Sequence, residues 1–168
     1  MAFTLGARSL RNMEGLHPDL VKVIKAAIEV TTVDFCILDN GGFRSEEDQA
    51  ALYQQGRNGH PGKIVTQKDG VSNRSNHQAQ VDEMGHAVDL VPWVGGAPTW
   101  NWEYIFPVIA AVHAAAKTKK VSLTWGGVWD RALVDLDALK LEDEVHQYTI
   151  RHAGSDMLDG PHLELRKK

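Results

Sequence analysis

Three short stretches hold side chains able to do chemistry together: Gly42-Phe43-Arg44-Ser45, the run from Ser75-Asn76-His77 to Gly85-His86-Ala87-Val88-Asp89-Leu90, and Asp159-Gly160-Pro161-His162-Leu163-Glu164. Imidazoles and carboxylates on separate segments suit a catalytic zinc ion. Such an ion takes three N or O protein ligands and leaves a fourth position for a water that ionises near pH ~7 and attacks a carbonyl. Two histidines and one carboxylate would meet that need. Asp89 also calls for a partner on its own account, because Ala87, Val88 and Leu90 set its charge in an apolar strand. There an unpaired carboxylate costs several kcal/mol, and a turn-capping role is the plainer alternative.

The phrases Ser-x-His, then Gly-x-Ala-x-Asp-Leu, then Asp-x-Pro-His, in that order, resemble the signature of the VanY/CwlK-like zinc peptidases, which include phage L-alanyl-D-glutamate endolysins. Trp125-Gly126-Gly127 resembles the phage members, and the similarity begins at Gly-Ala-Arg-Ser-Leu, residues 6–10. The resemblance implies that His77, Asp89 and His162 are zinc ligands, that Asp159 is the general base, and that Arg44 binds substrate or stabilises the oxyanion. The residue types suit these roles. An aspartate with an ordinary pKa of about 3.9 is ionised at neutral pH and can carry a proton from water to a leaving amine. An arginine stays charged and can fork to a carboxylate or an oxyanion, although Arg44 could instead pair with Glu47 or Asp48. One departure stands out: Gln78 to Met84 separate His77 from the glycine phrase, so that His77 and Asp89 lie twelve positions apart (77 to 89). His86 is the alternative ligand. Its odd spacing from Asp89 would put the two on opposite faces of a regular strand, which favours His77.

Elements must bring these stretches together. Leu20, Val23, Ile24, Ala27 and Ile28 form one helical stripe behind Pro18 and Asp19. Val33 to Leu38 reads as a strand running into the turn Asp39-Asn40-Gly41-Gly42. Ser45 caps a second helix with Glu46, Glu47 and Asp48 in its first turn and Gly56 as its stop. Residues 57–76 read as a long surface loop, and 86–91 as a strand ended by Pro92 and Gly95-Gly96. A third helix spans about 102–117, with Ile105, Val108, Ile109, Val112 and Ala116 inward and Pro107 near its start. Short strands follow at 121–125 and around Leu163 and Leu165, separated by a charged helical insertion at 130–156 that ends near Gly154. Trp93, Trp100 and Trp102 shape core and cleft wall. Lone histidines (His17, His60, His113, His146 and His152) read as surface or packed residues, and Asp82 and Glu83 as solvated, with an added metal site as the alternative.

With 168 residues, 43% hydrophobic and 24% charged, the chain suits one soluble globular domain. A net charge of −4 leaves no basic stripe for nucleic acid. Cys36 has no partner for an internal disulfide and reads as a small buried hydrophobe. No stretch suits a signal peptide or stable membrane insertion, so synthesis in the cytoplasm is expected. The expected fold is α+β: a short antiparallel sheet carrying the ligands, helices packed on one side, and a zinc cleft. The resemblance makes it a Hedgehog-type peptidase fold. It further implies a monomeric zinc metallopeptidase that hydrolyses the peptidoglycan peptide stem and reaches the cell wall after holin-type release. L-alanyl-D-glutamate cleavage is the leading activity. D-alanyl-D-alanine carboxypeptidase action and a non-catalytic zinc-stabilised binding module are the alternatives.

Overall fold

The computed structural model describes residues 2–153 and 157–166, so the expected helix stop at Gly154 lies outside the described residues. A six-residue helix, α1 (Ala7–Asn12), opens the chain and was not expected from the pattern. It serves the turn after β1 (Phe35–Cys36). Ser9 Oγ accepts from the Ile37 amide (3.1 Å), Asn12 donates to the Ile37 carbonyl (2.9 Å), and Arg8 forks onto Asp39 (3.0 and 2.8 Å). The Gly-Ala-Arg-Ser-Leu stretch thus holds the loop that leads to Arg44.

The first expected helix is α2 (Pro18–Val30), and its five stripe residues are all buried. Helix α3 (Glu46–Gln54) starts as predicted at Ser45, which exchanges hydrogen bonds with Asp48 in a capping box. Residues 57–76 contain no helix or strand. They are nevertheless pinned: Arg57 lies over the Tyr53 ring (4.1 Å) and donates to the Thr66 carbonyl (2.9 Å), while Asp69 accepts from the Val71 and Asn73 amides (2.8 Å each).

The expected strand at 86–91 proves to be two. Strand β2 (Ala87–Asp89) and strand β3 (Val91–Val94) belong to different sheets, and the chain switches between them at Leu90. Pro92 therefore lies within a strand rather than ending one. It faces Phe35 of β1, while Trp93 and Val94 pair with β4 (Ala97–Pro98) across the Gly95-Gly96 turn. Helix α4 (Trp102–Lys119) follows, with its apolar stripe buried against that of α2.

Strand β5 (Leu123–Trp125), a 3-10 turn at Leu133–Asp135, helix α5 (Leu141–Arg151) and strand β6 (His162–Leu165) complete the order. The result is an α+β fold with two three-stranded antiparallel sheets, β1-β3-β4 and β2-β6-β5. The second sheet carries the chemistry, because β6 lies between β2 and β5 and its Leu163 packs into the core. Cys36 is half-buried, and burial pushes its thiol up, in keeping with a packing role.

Leu20 is 1% exposed at the heart of the helix interface. Leu20→Ala is expected to cost about 2–5 kcal/mol, read as a lower urea midpoint with an unchanged slope.

Candidate metal centre

In antiparallel pairing of β2 with β6, Asp89 lies directly opposite His162. Their side chains meet, with His162 Nδ1 3.1 Å from Asp89 Oδ1. His77 arrives from the loop, its Nε2 3.4 Å from the same oxygen and 3.3 Å from His162 Nδ1. Three donor atoms from three segments thus form a triangle of 3.1, 3.3 and 3.4 Å. Tetrahedral zinc, with bonds near 2.0–2.1 Å, sets its ligand atoms about 3.3–3.4 Å apart. The triangle fits one small divalent cation.

The outward nitrogens fix how each ring presents itself. His77 Nδ1 donates to the Gly42 carbonyl (2.8 Å), which leaves the lone pair of Nε2 aimed inward. His162 Nε2 lies 3.1 Å from Glu164, which turns Nδ1 inward. Asn76 in turn donates to Glu164 at 2.8 Å. Such outer contacts select tautomer and ring angle in metal sites. Two imidazole nitrogens and a carboxylate oxygen directed at one point call for positive charge between them, from a proton or from a cation.

The electrostatics say the same. Burial would lower the His162 pKa, but the hydrogen bonds the ring donates to Asp89 and Glu164 outweigh this and push it up to about 10. His77 is held below its ordinary value, chiefly by burial. Burial would raise Asp89, yet the facing His77 and His162 keep it well below the usual carboxylate range. Asp159 goes the other way, raised by burial and by the nearby Asp89 charge. That aspartate occupies the turn before β6, where its carbonyl accepts from the His162 amide (3.1 Å) and its amide donates to Gly126 (2.9 Å). Its carboxylate makes no hydrogen bond to a described residue and lines the same cleft as the triad, a cavity of about 600 Å³.

Arg44 is also drawn in, but its guanidinium is already committed. It donates to Asp89 Oδ2 (2.9 Å), to Gln49 Oε1 (3.2 Å) and to the Asn40 carbonyl. Neither Glu47 nor Asp48 is its ion-pair partner; it faces inward, and the capping box claims Asp48. His86, the alternative ligand, stays outside the triad and points to Asp82 (2.8 Å). Asp82 is therefore paired rather than merely solvated.

Sequence reasoning missed the supporting residues. Glu164 was legible, since a spacing of two in a strand puts it on the same face as His162. Gln49 was not: it is wholly buried, linking Arg44 to the Lys68 carbonyl (2.9 Å), on a helix with no marked apolar face to flag it. Trp129, just ahead of the 130–156 insertion, carried no signal of its own, yet its ring centroid lies 5.2 Å from that of His162.

Fold and site together define a small α+β protein with a two-histidine, one-carboxylate group open to a cleft. A family model described as phage L-alanyl-D-glutamate peptidase matches residues 1–166, and the chain belongs to that family. It is 26% identical over 166 residues to an L-alanyl-D-glutamate peptidase of Escherichia phage T5, covering 98% of this chain and 99% of that protein. Among solved structures, the L-Ala D-Glu endopeptidase ChiX of Serratia marcescens is similar with a TM-score of 0.63 and 29% identity, over 97% of this chain and 90% of that one.

A glycine fixes Asp159 relative to the three candidate ligands. A Cβ at Gly126 would lie 2.2 Å from the Asp159 carbonyl oxygen, a backbone atom that cannot swing aside. Gly126→Ala is expected to displace the Asp159 turn and lower the thermal midpoint, and an unchanged melting curve would show that the turn tolerates the shift.

Proposed function

We propose that the chain is a zinc-dependent peptidoglycan peptidase that hydrolyses the L-alanyl-D-glutamate bond of the peptide stem, acting as an endolysin. The observation that carries this reading is the triangle of His77, Asp89 and His162 donors beside the uncommitted Asp159 carboxylate in an open cleft. Membership of the phage peptidase family and similarity to two L-alanyl-D-glutamate peptidases support the choice of bond. No helix among the described residues is long and apolar enough to cross a membrane, which is compatible with release to the wall by a holin-type pore.

In this reading His77 Nε2, His162 Nδ1 and one Asp89 oxygen hold the ion. When bound, zinc acidifies a water and polarises the scissile carbonyl. Asp159 takes the proton from the attacking water and passes it to the leaving amine of D-glutamate. Its raised pKa suits both halves of that task, since a base that titrates closer to neutrality also returns the proton more readily. Arg44 positions Asp89 through the 2.9 Å ion pair, so that one carboxylate oxygen stays turned toward the imidazoles. To reach a developing oxyanion the guanidinium would have to exchange one of its protein acceptors. Trp100 and Trp129 wall the cleft, and Lys68 on its lining offers positive charge to an acidic stem.

Mass spectrometry of muropeptides released from purified sacculi tests the bond. A new N-terminal D-glutamate is expected, whereas loss of a terminal D-alanine would replace the assignment with a carboxypeptidase. Asp159→Asn is expected to keep the bound ion and lower hydrolysis by about 10²–10⁴-fold, the usual contribution of a positioned base. Unchanged digestion by that variant would remove Asp159 from the base role. His162→Ala should lose both ion and activity. Glu164→Ala should weaken zinc affinity by about 10–100-fold, as loss of an outer-shell partner does.

A further inference from the structure

A second group of potential ligands lies away from the cleft, formed by His17, Asp82 and His86. Asp82 lies in the 78–84 stretch that departs from the peptidase motif, His86 just after it, and His17 at the start of α2. Residues 79–85 fold into a tight hairpin: Ala79 bridges Gly85, the Gln80 amide donates to the Met84 carbonyl (2.9 Å), and Glu83 takes a left-handed conformation (φ 64°) at the tip. The hairpin lies against the segment entering α2. Gly85 donates to the Gly15 carbonyl (2.9 Å), and the His17 amide donates to the Gly85 carbonyl (2.9 Å). Backbone pairing therefore sets His17 beside His86, with ring centroids 5.2 Å apart. The Met84 amide orients Asp82 by donating to its Oδ1 (3.2 Å).

The donor atoms converge. Asp82 Oδ2 lies 2.8 Å from His86 Nε2 and 3.8 Å from His17 Nε2, distances that straddle the roughly 3.3 Å edge of a tetrahedral site. Side-chain exposures of 23–41% leave the group open to solvent and free to adjust. His17 even holds a partner in reserve. Its Nδ1 now accepts from the Asp19 amide (3.0 Å), which places the proton on Nε2. Once Nε2 binds a cation, that proton moves to Nδ1; the bond from the Asp19 amide is given up, and Asp19 Oδ2, 4.0 Å away, accepts in its place, while Lys22 occupies the other oxygen of Asp19. Carboxylate backing of this kind is how histidine ligands are usually held.

We propose that His17, Asp82 and His86 form a second site for a zinc-like divalent cation, one that clamps the 79–85 hairpin to the start of α2. The site is structural. It stabilises the link between His77 and Asp89 without contributing a group to the cleft.

Equilibrium dialysis of the metal-stripped full chain against increasing free Zn²⁺ tests it. Two ions per chain are expected in the wild type and one in both His86→Gln and His17→Gln, with far-UV circular dichroism unchanged. The two variants sit on different elements, so a folding defect in one leaves the other to answer. Digestion of sacculi should persist in both. A single ion in the wild type, or two retained in both variants, would overturn the proposal. His162→Ala reports separately: retention of both ions there would defeat the catalytic ligand set and leave this site standing.

Discussion

The register of β2 on β6 is the constraint from which the rest of the site follows. Antiparallel pairing opposite His162 puts the Asp89 carboxylate against an imidazole at 3.1 Å in a largely buried place. A shift of one strand by one residue would turn its side chain to the other face and part the pair. Leu163 and Val88, fully buried between them in the alternation, resist that shift because it would bring their side chains to the cleft. The hydrophobic core thus fixes the geometry of a polar site that it does not touch.

Burying a carboxylate is costly unless it is paired and hydrogen-bonded, and breaking such a pair strands a charge. Asp89 avoids this with Arg44 on one oxygen and the His162 imidazolium on the other, which His77 Nε2 also faces. Arg44 is itself largely buried, which lowers its pKa, and Gln49 and Asn40 each accept from a further guanidinium N–H. The network reaches outward through Gln49 to Lys68 and so to the long loop, which explains why a segment with no helix or strand is still held in place. The small α1 helix does similar work on the other side, through Arg8, Ser9 and Asn12.

Two close approaches leave room for nothing but glycine. A Cβ at Gly42 would fall 1.7 Å from the Asn12 carbonyl oxygen, and the Gly42 carbonyl is the acceptor for His77. Gly126 packs on the Asp159 backbone in the same manner. These residues belong to the Gly-Phe-Arg-Ser and Trp-Gly-Gly phrases. The motifs therefore mark backbone contacts as well as chemical groups.

The stripes of α2 and α4, the capped start of α3, and the residues that meet in the cleft, His77, Asp89, Asp159 and His162, were in view in advance, because helical periodicity, capping and motif order are local properties of the chain. The strand at 86–91 was read as one because its apolar run is continuous; its division between two sheets depends on partners far away in sequence, Phe35 for Pro92 and His162 for Asp89. The choice of His77 over His86 was likewise tertiary. The hairpin at 79–85 absorbs the extra residues and turns His86 to Asp82, a result of backbone pairing with residues 15–17. Sequence alone set which groups were available, since residue types and short spacings carry that much. Only the packed structure decided which lone pairs meet, because that depends on sheet register and buried hydrogen bonds between segments up to 88 positions apart.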